Sequence, residues 1–353
     1  MSFPSLENLL SKIAPGRAMR DAIDRIVEQG NGGLIACCPL EEIKGIITSG
    51  FQMEADLTPQ RLAELAKMDG AIVINEKMQK ITYSNAHLAP DPTISSQETG
   101  TRHRAAEQTA KQLEIPVIAI SERRNRITIY FKEKRYILRD ISTILSKVNQ
   151  ALLILDQYRS DYDEALGELT ALEFDGRVLP YHVATVLRRI AQMLEMKKEI
   201  SRMFVELGQE KDLPERQLEN LLVGVEQEFK FLIKDFQHHD QKPEDVKKQI
   251  RKLSSEDLLA TEKTMAPLGY EEEDLDSFLS SRGYRLLSKI PRLPMPVIER
   301  MVKEFENFEA IWEVSKEELK EVKGIGEARA NTIKEGLRRI ENRVHIMEEM
   351  GNY

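Results

Sequence analysis

Near residue 140 the hydrophobic pattern of this 353-residue chain changes character, and the change limits the folds open to it. Before it, apolar runs of strand length alternate with amphipathic stretches. GLIACC (33–38) and GAIVI (70–74) are continuous apolar runs, the pattern of strands buried on both faces. Residues 81–88 alternate, and 116–121, 126–131 and 136–138 also read as strands. Helices are expected over 9–13, 19–29, 57–67 and 101–113. The third opens on Thr58-Pro59, a capping residue followed by proline at the first helical position. Short buried strands interleaved with helices imply an α/β N-terminal domain with a mixed central sheet. After the change, 141–158, 161–174, 183–207, 214–236 and 243–253 show helical periodicity with long charged faces, which predicts an all-α spine. A third region begins near Arg282-Gly283-Tyr284, with the proline-rich IPRLPMP (290–296) and then VKGIGEARANTIKEGL (322–337). The expected organisation is three domains, 1–145, 146–284 and 285–353, the last a small helix-hairpin-helix domain.

Composition removes several function classes. At 41% hydrophobic and 31% charged residues the chain is a folded, water-soluble type. A net charge of −8 argues against general coating of nucleic acid but leaves room for a local basic site. No apolar run approaches the roughly 18 residues of a membrane span. The N-terminus lacks the charged and apolar regions of a signal peptide, so a cytoplasmic location is expected. Cys37 and Cys38 are adjacent, which disfavours both a bridge and a metal site, and they read as reduced core thiols in a buried strand. His238-His239-Asp240 lies in a polar stretch with no further ligand nearby and reads as a solvated loop.

Three segments of the first region carry chemistry. Asp69-Gly70-Ala71 stands at the start of a buried strand. Asp-Gly is ordinary turn chemistry, but a carboxylate at a strand edge can also bind a divalent metal and take a proton from an attacking hydroxyl. Gly100-Thr101-Arg102-His103-Arg104 lies where a long loop enters a helix. Arginines at a helix N-terminus oppose the helix dipole, which points to an anionic ligand held there by N–H groups and guanidinium forks. Ser121-Glu122-Arg123-Arg124-Asn125 ends one strand and turns into the next, either as a charged hairpin or as a seat for a triphosphate tail. Together they suggest nucleotidyl or phosphoryl transfer, in which positioning and charge neutralisation dominate. No Walker loop, Gly-x-Gly-x-x-Gly or kinase signature is present.

In the last region, Val322-Lys323-Gly324-Ile325-Gly326 followed by a helix resembles the hairpin of a helix-hairpin-helix motif. Its glycines would let backbone N–H groups approach a DNA phosphate while Ile325 anchors the turn. Between 323 and 343 there are six basic residues (Lys323, Arg329, Lys334, Arg338, Arg339, Arg343) and three acidic ones. Such a site reads backbone and shape, not sequence. The segment near 290–305 has the proline-rich entry in place of Gly-x-Gly and reads as a degenerate copy.

LAKMDGAIVI (65–74), DPTISSQETGTRHRAAEQTAKQ (91–112) and ISERRNRITIY (120–130) closely resemble the corresponding segments of diadenylate cyclase domains. RGYRLLSKIPRLPMPVIE (282–299) and VKGIGEAR (322–329) resemble the C-terminal part of the DNA-integrity-scanning (DisA) branch of that family, so the resemblance spans nearly the whole chain. It implies condensation of two ATP into cyclic di-AMP plus two pyrophosphates, assisted by Mg2+ or Mn2+. It also implies that Asp69 is the metal-binding carboxylate that helps activate a ribose 3′-hydroxyl, and that Gly70 and Ala71 line the nucleotide. Thr101, Arg102, His103 and Arg104 then form the ATP site, Leu88 presents backbone to the adenine, and Ser121 and Arg124 meet phosphates. DNA binding falls to Lys323, Gly324, Ile325, Gly326 and Arg329. The family resemblance further implies a homo-octamer with face-to-face cyclase domains, restrained by branched DNA such as Holliday junctions. Relatives commonly carry Thr after the RHR triplet where this chain has Ala105, and some carry arginine where it has Glu122. Two other functions fit the residues: a nucleotide-binding DNA repair or recombination accessory protein without cyclase activity, and a structural oligomer whose α/β domain is an assembly unit.

Overall fold

The computed structural model describes residues 5–122, 126–238 and 242–351. Contacts divide the chain into two units, Met1–Gln150 with Ile200–Glu215, and Ala151–Glu199 with Arg216–Tyr353. The first contains helices α1 (Leu6–Lys12), α2 (Ala18–Glu28), α3 (Leu40–Ile43), α4 (Pro59–Leu65) and α5 (Thr101–Leu113). Its strands are β1 (Gly33–Cys37), β2 (Ile47–Asp56), β3 (Ala71–Ile74), β4 (Lys80–Leu88), β5 (Pro116–Ser121), β6 (Arg126–Phe131) and β7 (Lys134–Ile137). They form one seven-stranded sheet in the order β2-β4-β3-β1-β5-β6-β7. β1 pairs with β3 in parallel and with β5 antiparallel, so the sheet is mixed, as expected.

β1 and β3 are buried at every residue, which is why they read as unbroken apolar runs. Alternate residues of β1 serve opposite layers. Ile35 and Cys37 pack in a cluster with Leu9, Ile23, Ile26 and Leu62 from α1, α2 and α4. Leu34, Ala36 and Cys38 pack with Ala106 and Ala110 of α5. Each large apolar side chain buried in this way contributes roughly 1.5–3 kcal/mol. Both cysteines are free and buried. Burial pushes the Cys38 thiol up to about 12 and Cys37 higher still, so neither supplies a reactive thiolate. α4 starts as its sequence indicates: the Thr58 hydroxyl accepts from Arg61 N–H at 3.2 Å, with proline in the first turn.

β2 gave no strand signal. It is an edge strand with mostly exposed residues on both sides, so ITSGFQMEAD shows no apolar period.

Beyond Asp140 the chain is helical. α6 (Ile141–Phe174) runs 34 residues without the break expected between 158 and 161. Asp161 is tolerated inside it because it accepts from Gln157 at 2.8 Å and pairs with Arg189 of α7 (Pro180–Leu207) at 3.2 Å. Conversely, the helix expected over 214–236 is two, α8 (Asp212–Leu221) and α9 (Val225–Phe236). Gly224 separates them at φ +80°, a conformation that ends a helix and that glycine adopts freely. Then come α10 (Pro243–Ile250), α11 (Thr261–Met265), α12 (Tyr284–Ser288), α13 (Met295–Phe305), α14 (Phe308–Glu313), α15 (Lys316–Leu319) and α16 (Glu327–Gly351). α12 to α16 enclose a separate apolar cluster that includes Leu286, Ile298, Met301, Phe308, Ile311 and Ile333. Among the described residues no helix is long and apolar enough to cross a membrane.

Candidate functional site

Asp69 and Gly70 owe their position to an irregularity in β4. Ala71 opposes Ala86 but Val73 opposes Tyr83, and on the other side Ser49 opposes His87 while Phe51 opposes Ser84. β4 therefore holds one extra residue against both neighbours. The strain is taken up at Asn85, which has φ +48°, a region asparagine tolerates better than most residues. Two glycines make room for the bulge. A Cβ on Gly50 would lie 2.6 Å from the Asn85 carbonyl oxygen, and one on Gly70 would lie 2.9 Å from its carbonyl carbon. Gly70 also sits at φ +95°, so it is required by the fold before any ligand is considered.

The bulge opens a cleft of about 960 Å³ between the β3–β4 end of the sheet and the start of α5. Asp69, Gly70, Leu88, Thr101, Arg102, His103 and Ser121 line it. Ala71 does not: it is fully buried in the layer beneath α5. Arg104 does not either, being exposed with its Nε donating to the Glu98 carbonyl at 3.3 Å. Arg124 lies outside the described residues, as do Arg123, His239 and Asp240.

The loop before α5 is fastened to that helix by side chains. Ser96 donates to Glu107 at 2.6 Å, Gln108 donates to the Ile94 carbonyl at 2.8 Å, Lys111 donates to the Ser95 carbonyl at 3.0 Å, and Gln112 accepts from Asp91 N–H at 2.8 Å. These braces hold the loop against the later part of α5, while the first turn of α5 lies at the cleft. Gly100 caps it without a side chain, and its first turn has no acidic residue. The free N–H groups there, with Arg102, make a seat for an anion. Gly32 gives Arg102 its place, since a Cβ there would overlap the guanidinium. Arg126 was not foreseen. It lines the cleft, and its buried Nε has no partner among the described residues.

His103 belongs to a chain of polar contacts. Its Nδ1 lies 3.0 Å from the Tyr130 hydroxyl, which donates to Glu98 Oε1 at 2.7 Å. Glu98 in turn pairs with Arg135 at 3.0 Å. Burial pushes the His103 pKa down, opposed by Glu98 and reinforced by Arg126, Arg135 and Arg102. Burial and the bond to Glu98 push the Tyr130 hydroxyl up, so it stays protonated.

Asp69 is exposed. Among the described residues no three His, Cys, Asp or Glu side chains converge to hold a metal. Mg2+ at nucleotide sites is commonly bound by one or two carboxylates, with substrate phosphates and waters completing the shell. The donor set therefore fits a cation that arrives with a triphosphate.

In the second unit, Lys323, Gly324, Gly326 and Arg329 are exposed and Ile325 is buried. Arg329 donates to the Gly324 carbonyl at 2.5 Å and braces the turn. The turn closes through Ile325 N–H to the Val322 carbonyl at 3.0 Å, with Gly324 at φ +100°. The upstream segment repeats this geometry. Leu293 N–H meets the Ile290 carbonyl at 3.4 Å, and Arg292, in the place of Gly324, has φ +62°.

Residues 20–135 match the family described as DisA bacterial checkpoint controller nucleotide-binding, and 138–276 match the DisA bacterial checkpoint controller linker region. The DNA integrity scanning protein DisA of Carboxydothermus hydrogenoformans is 45% identical to this chain, covering 94% of it and 95% of its own length. This chain belongs to the DisA family. The DisA protein of Bacillus subtilis is 42% identical, covering 98% of this chain and 96% of its own. The cleft residues, from Leu34 to Arg126, all fall inside the nucleotide-binding segment of the DisA family. Among solved structures, DacA from Staphylococcus aureus covers 38% of this chain at 23% identity and a TM-score of 0.30, a likeness too slight to carry an argument.

Proposed function

We propose that this chain condenses two ATP molecules into cyclic di-AMP with release of two pyrophosphates, and that its C-terminal module senses DNA and regulates that activity. One observation carries the first part: a single cleft is lined by the Asp69 carboxylate and by the open N-terminus of α5 with Arg102. The helix start, Arg102 and Arg126 receive the triphosphate, Thr101 and Ser121 add hydroxyl contacts, and Gly70 and Leu88 flank the nucleoside. Ala71 supports Gly70 from beneath. Arg124, outside the described residues, is read as a further phosphate contact, whereas Arg104, which turns outward to the Glu98 carbonyl, is left out of the site. Asp69 would hold a Mg2+ or Mn2+ ion arriving with the triphosphate, and that ion would supply charge neutralisation. Asp69 takes the proton as a ribose 3′-oxygen attacks the α-phosphate of a second ATP and pyrophosphate leaves. A reciprocal attack closes the ring. In this reading the cleft, of about 960 Å³, seats one ATP, and the second is presented by another copy of the chain in a face-to-face homo-oligomer that the family resemblance extends to an octamer.

The paired turns at 290–294 and 322–326 support the helix-hairpin-helix reading, because each presents an exposed positive-φ residue between apolar anchors, Val322 and Ile325 buried in one, Ile290 buried and Leu293 half-buried in the other. Lys323, Gly324, Gly326 and Arg329 then meet DNA phosphates without reading sequence, Ile325 holds the turn, and branched DNA is the expected ligand.

Incubation of the full chain with ATP and Mn2+, followed by chromatography, tests the activity. Cyclic di-AMP and pyrophosphate are expected, and Asp69→Asn should bind ATP without forming either. ATP bound but returned unchanged by the wild-type chain would favour the accessory nucleotide-binding role.

A further inference from the structure

We infer that Glu98 and Tyr130 are positioning residues that hold His103 as a neutral hydrogen-bond acceptor toward the nucleotide, a role apart from the two arginines flanking it in sequence. The inference rests on the nucleotide reading of the cleft. Its basis is proton accounting. The Tyr130 hydroxyl has one proton and lies 2.7 Å from a Glu98 oxygen and 3.0 Å from His103 Nδ1. Glu98 is ion-paired with Arg135 at 3.0 Å, so it accepts. The tyrosine proton therefore points to Glu98, and the phenol oxygen turns a lone pair to His103. The contact is a hydrogen bond only if Nδ1 carries a proton. In the neutral ring Nε2 is then bare.

Nothing among the described residues hydrogen-bonds to Nε2, and His103 lines the cleft. Protonation of Nε2 is resisted by burial and by Arg126, Arg135 and Arg102, against the single favourable charge of Glu98. The ring thus offers a lone pair to a donor on the bound nucleotide, a hydroxyl or an amino group. Arg102 and Arg126, by contrast, offer charge to phosphate. Glu98 is on the loop before α5 and Tyr130 is on β6, 32 residues apart, so no local motif joins them.

The test compares wild type, Tyr130→Phe and Glu98→Gln as full chains between about pH 5 and 8, where histidine changes charge. Two readouts are taken: kcat/KM for ATP with Mn2+, and affinity for α,β-methylene-ATP, which keeps both ribose hydroxyls but cannot release pyrophosphate. Tyr130 is almost fully buried, and phenylalanine keeps its packing while removing the hydroxyl. Tyr130→Phe should lose about tenfold in kcat/KM at the alkaline end, the scale seen when a partner that orients a functional histidine is removed. An acceptor is lost when it protonates, so wild-type kcat/KM and affinity should fall as pH falls through the His103 ionisation. Glu98→Gln removes the one charge that favours the cation, so its acid-side fall should be displaced to lower pH. An equal loss at every pH with no displacement means that Glu98 and Tyr130 are only structural, and overturns the inference. Affinity that tightens on acidification makes His103 a cationic phosphate ligand, and also overturns it. If the wild-type chain makes no cyclic product, the cyclase reading fails, while the pH profile of analogue binding still decides the role of His103.

Discussion

A Cβ on Gly324 would meet the Arg300 guanidinium at 2.8 Å at a backbone angle of φ +100°, whereas one on Gly326 would meet nothing within 4 Å. The two glycines of the C-terminal hairpin therefore do different work. Gly324 makes the turn possible, and Gly326 leaves open space beside exposed backbone. Gly324→Ala should destabilise the module by roughly 1–2 kcal/mol through the left-handed backbone alone. Gly326→Val meets no clash but replaces the glycine that caps α16, whose carbonyl accepts from Ala330 N–H, and should cost about 1 kcal/mol, leaving the module folded. It should nevertheless abolish DNA binding in gel-shift titrations and spare cyclase turnover. Unchanged DNA binding by Gly326→Val would remove the hairpin from the proposed interface. The basic residues near it also differ in availability. Lys334 is half-buried and donates to the Trp312 carbonyl at 2.5 Å, which closes the end of α14, so it adds less to a DNA surface than its charge suggests. Lys323 is exposed.

At the scale of elements, the second unit is held at one point by buried charge. Arg285, at the start of α12, is fully buried and bonded to Glu173, near the end of α6, which is also fully buried. Asp235 of α9 accepts from Tyr284 N–H at 2.6 Å and Arg285 N–H at 2.9 Å, capping α12 where no side chain of its own can. Breaking one member leaves a charge stranded in an apolar interior. Arg285→Met should cost about 3–5 kcal/mol, and adding Glu173→Gln should recover much of that loss, because neither ion then remains buried alone. The only tryptophan, Trp312, packs edge-on to Phe174 with ring centroids 5.1 Å apart, so urea unfolding followed by its fluorescence reports on this unit. Equal midpoints for the single and double variants would show that the ion pair is not what joins α6 to α12.

For the whole molecule, the proposed product has two phosphodiester bonds, and among the described residues Asp69 and Arg102 meet in one cleft. Two identical sites facing across a two-fold axis suit a symmetric dinucleotide. Mixed pairs of one wild-type chain and one carrying Asp69→Asn, purified through different tags, should form one bond and accumulate a linear dinucleotide on chromatography. Full cyclic product at half the wild-type rate would mean that one cleft completes both attacks. Binding of DNA by a chain of net charge −8 must be local, and its affinity should fall by about 0.9 log units per log unit of salt for each phosphate neutralised. A flat salt response in the gel-shift titration would sink that reading.

The elements that the sequence determined by itself are those with local signals. α5, β5 and β6 keep the bounds expected of them, and β1 and β3 follow unbroken apolar runs, because burial on both faces leaves its mark on consecutive residues. Asp69, Thr101, Arg102, His103 and Ser121 were singled out by residue type, most clearly the arginines at a helix start, and the structure brings these five to one cleft. Tertiary structure alone decided the rest. Edge strand β2 has no buried face to impose a period, and α6 stays continuous because Arg189, from another helix, satisfies Asp161. Of the flanking arginines, Arg102 reaches the cleft because distant Gly32 leaves space for it, while Arg104 turns outward to the Glu98 carbonyl. Contacts between strands and loops far apart in sequence fix the proton on His103, and a linear pattern carries no trace of them until the sheet brings Tyr130 beside Glu98.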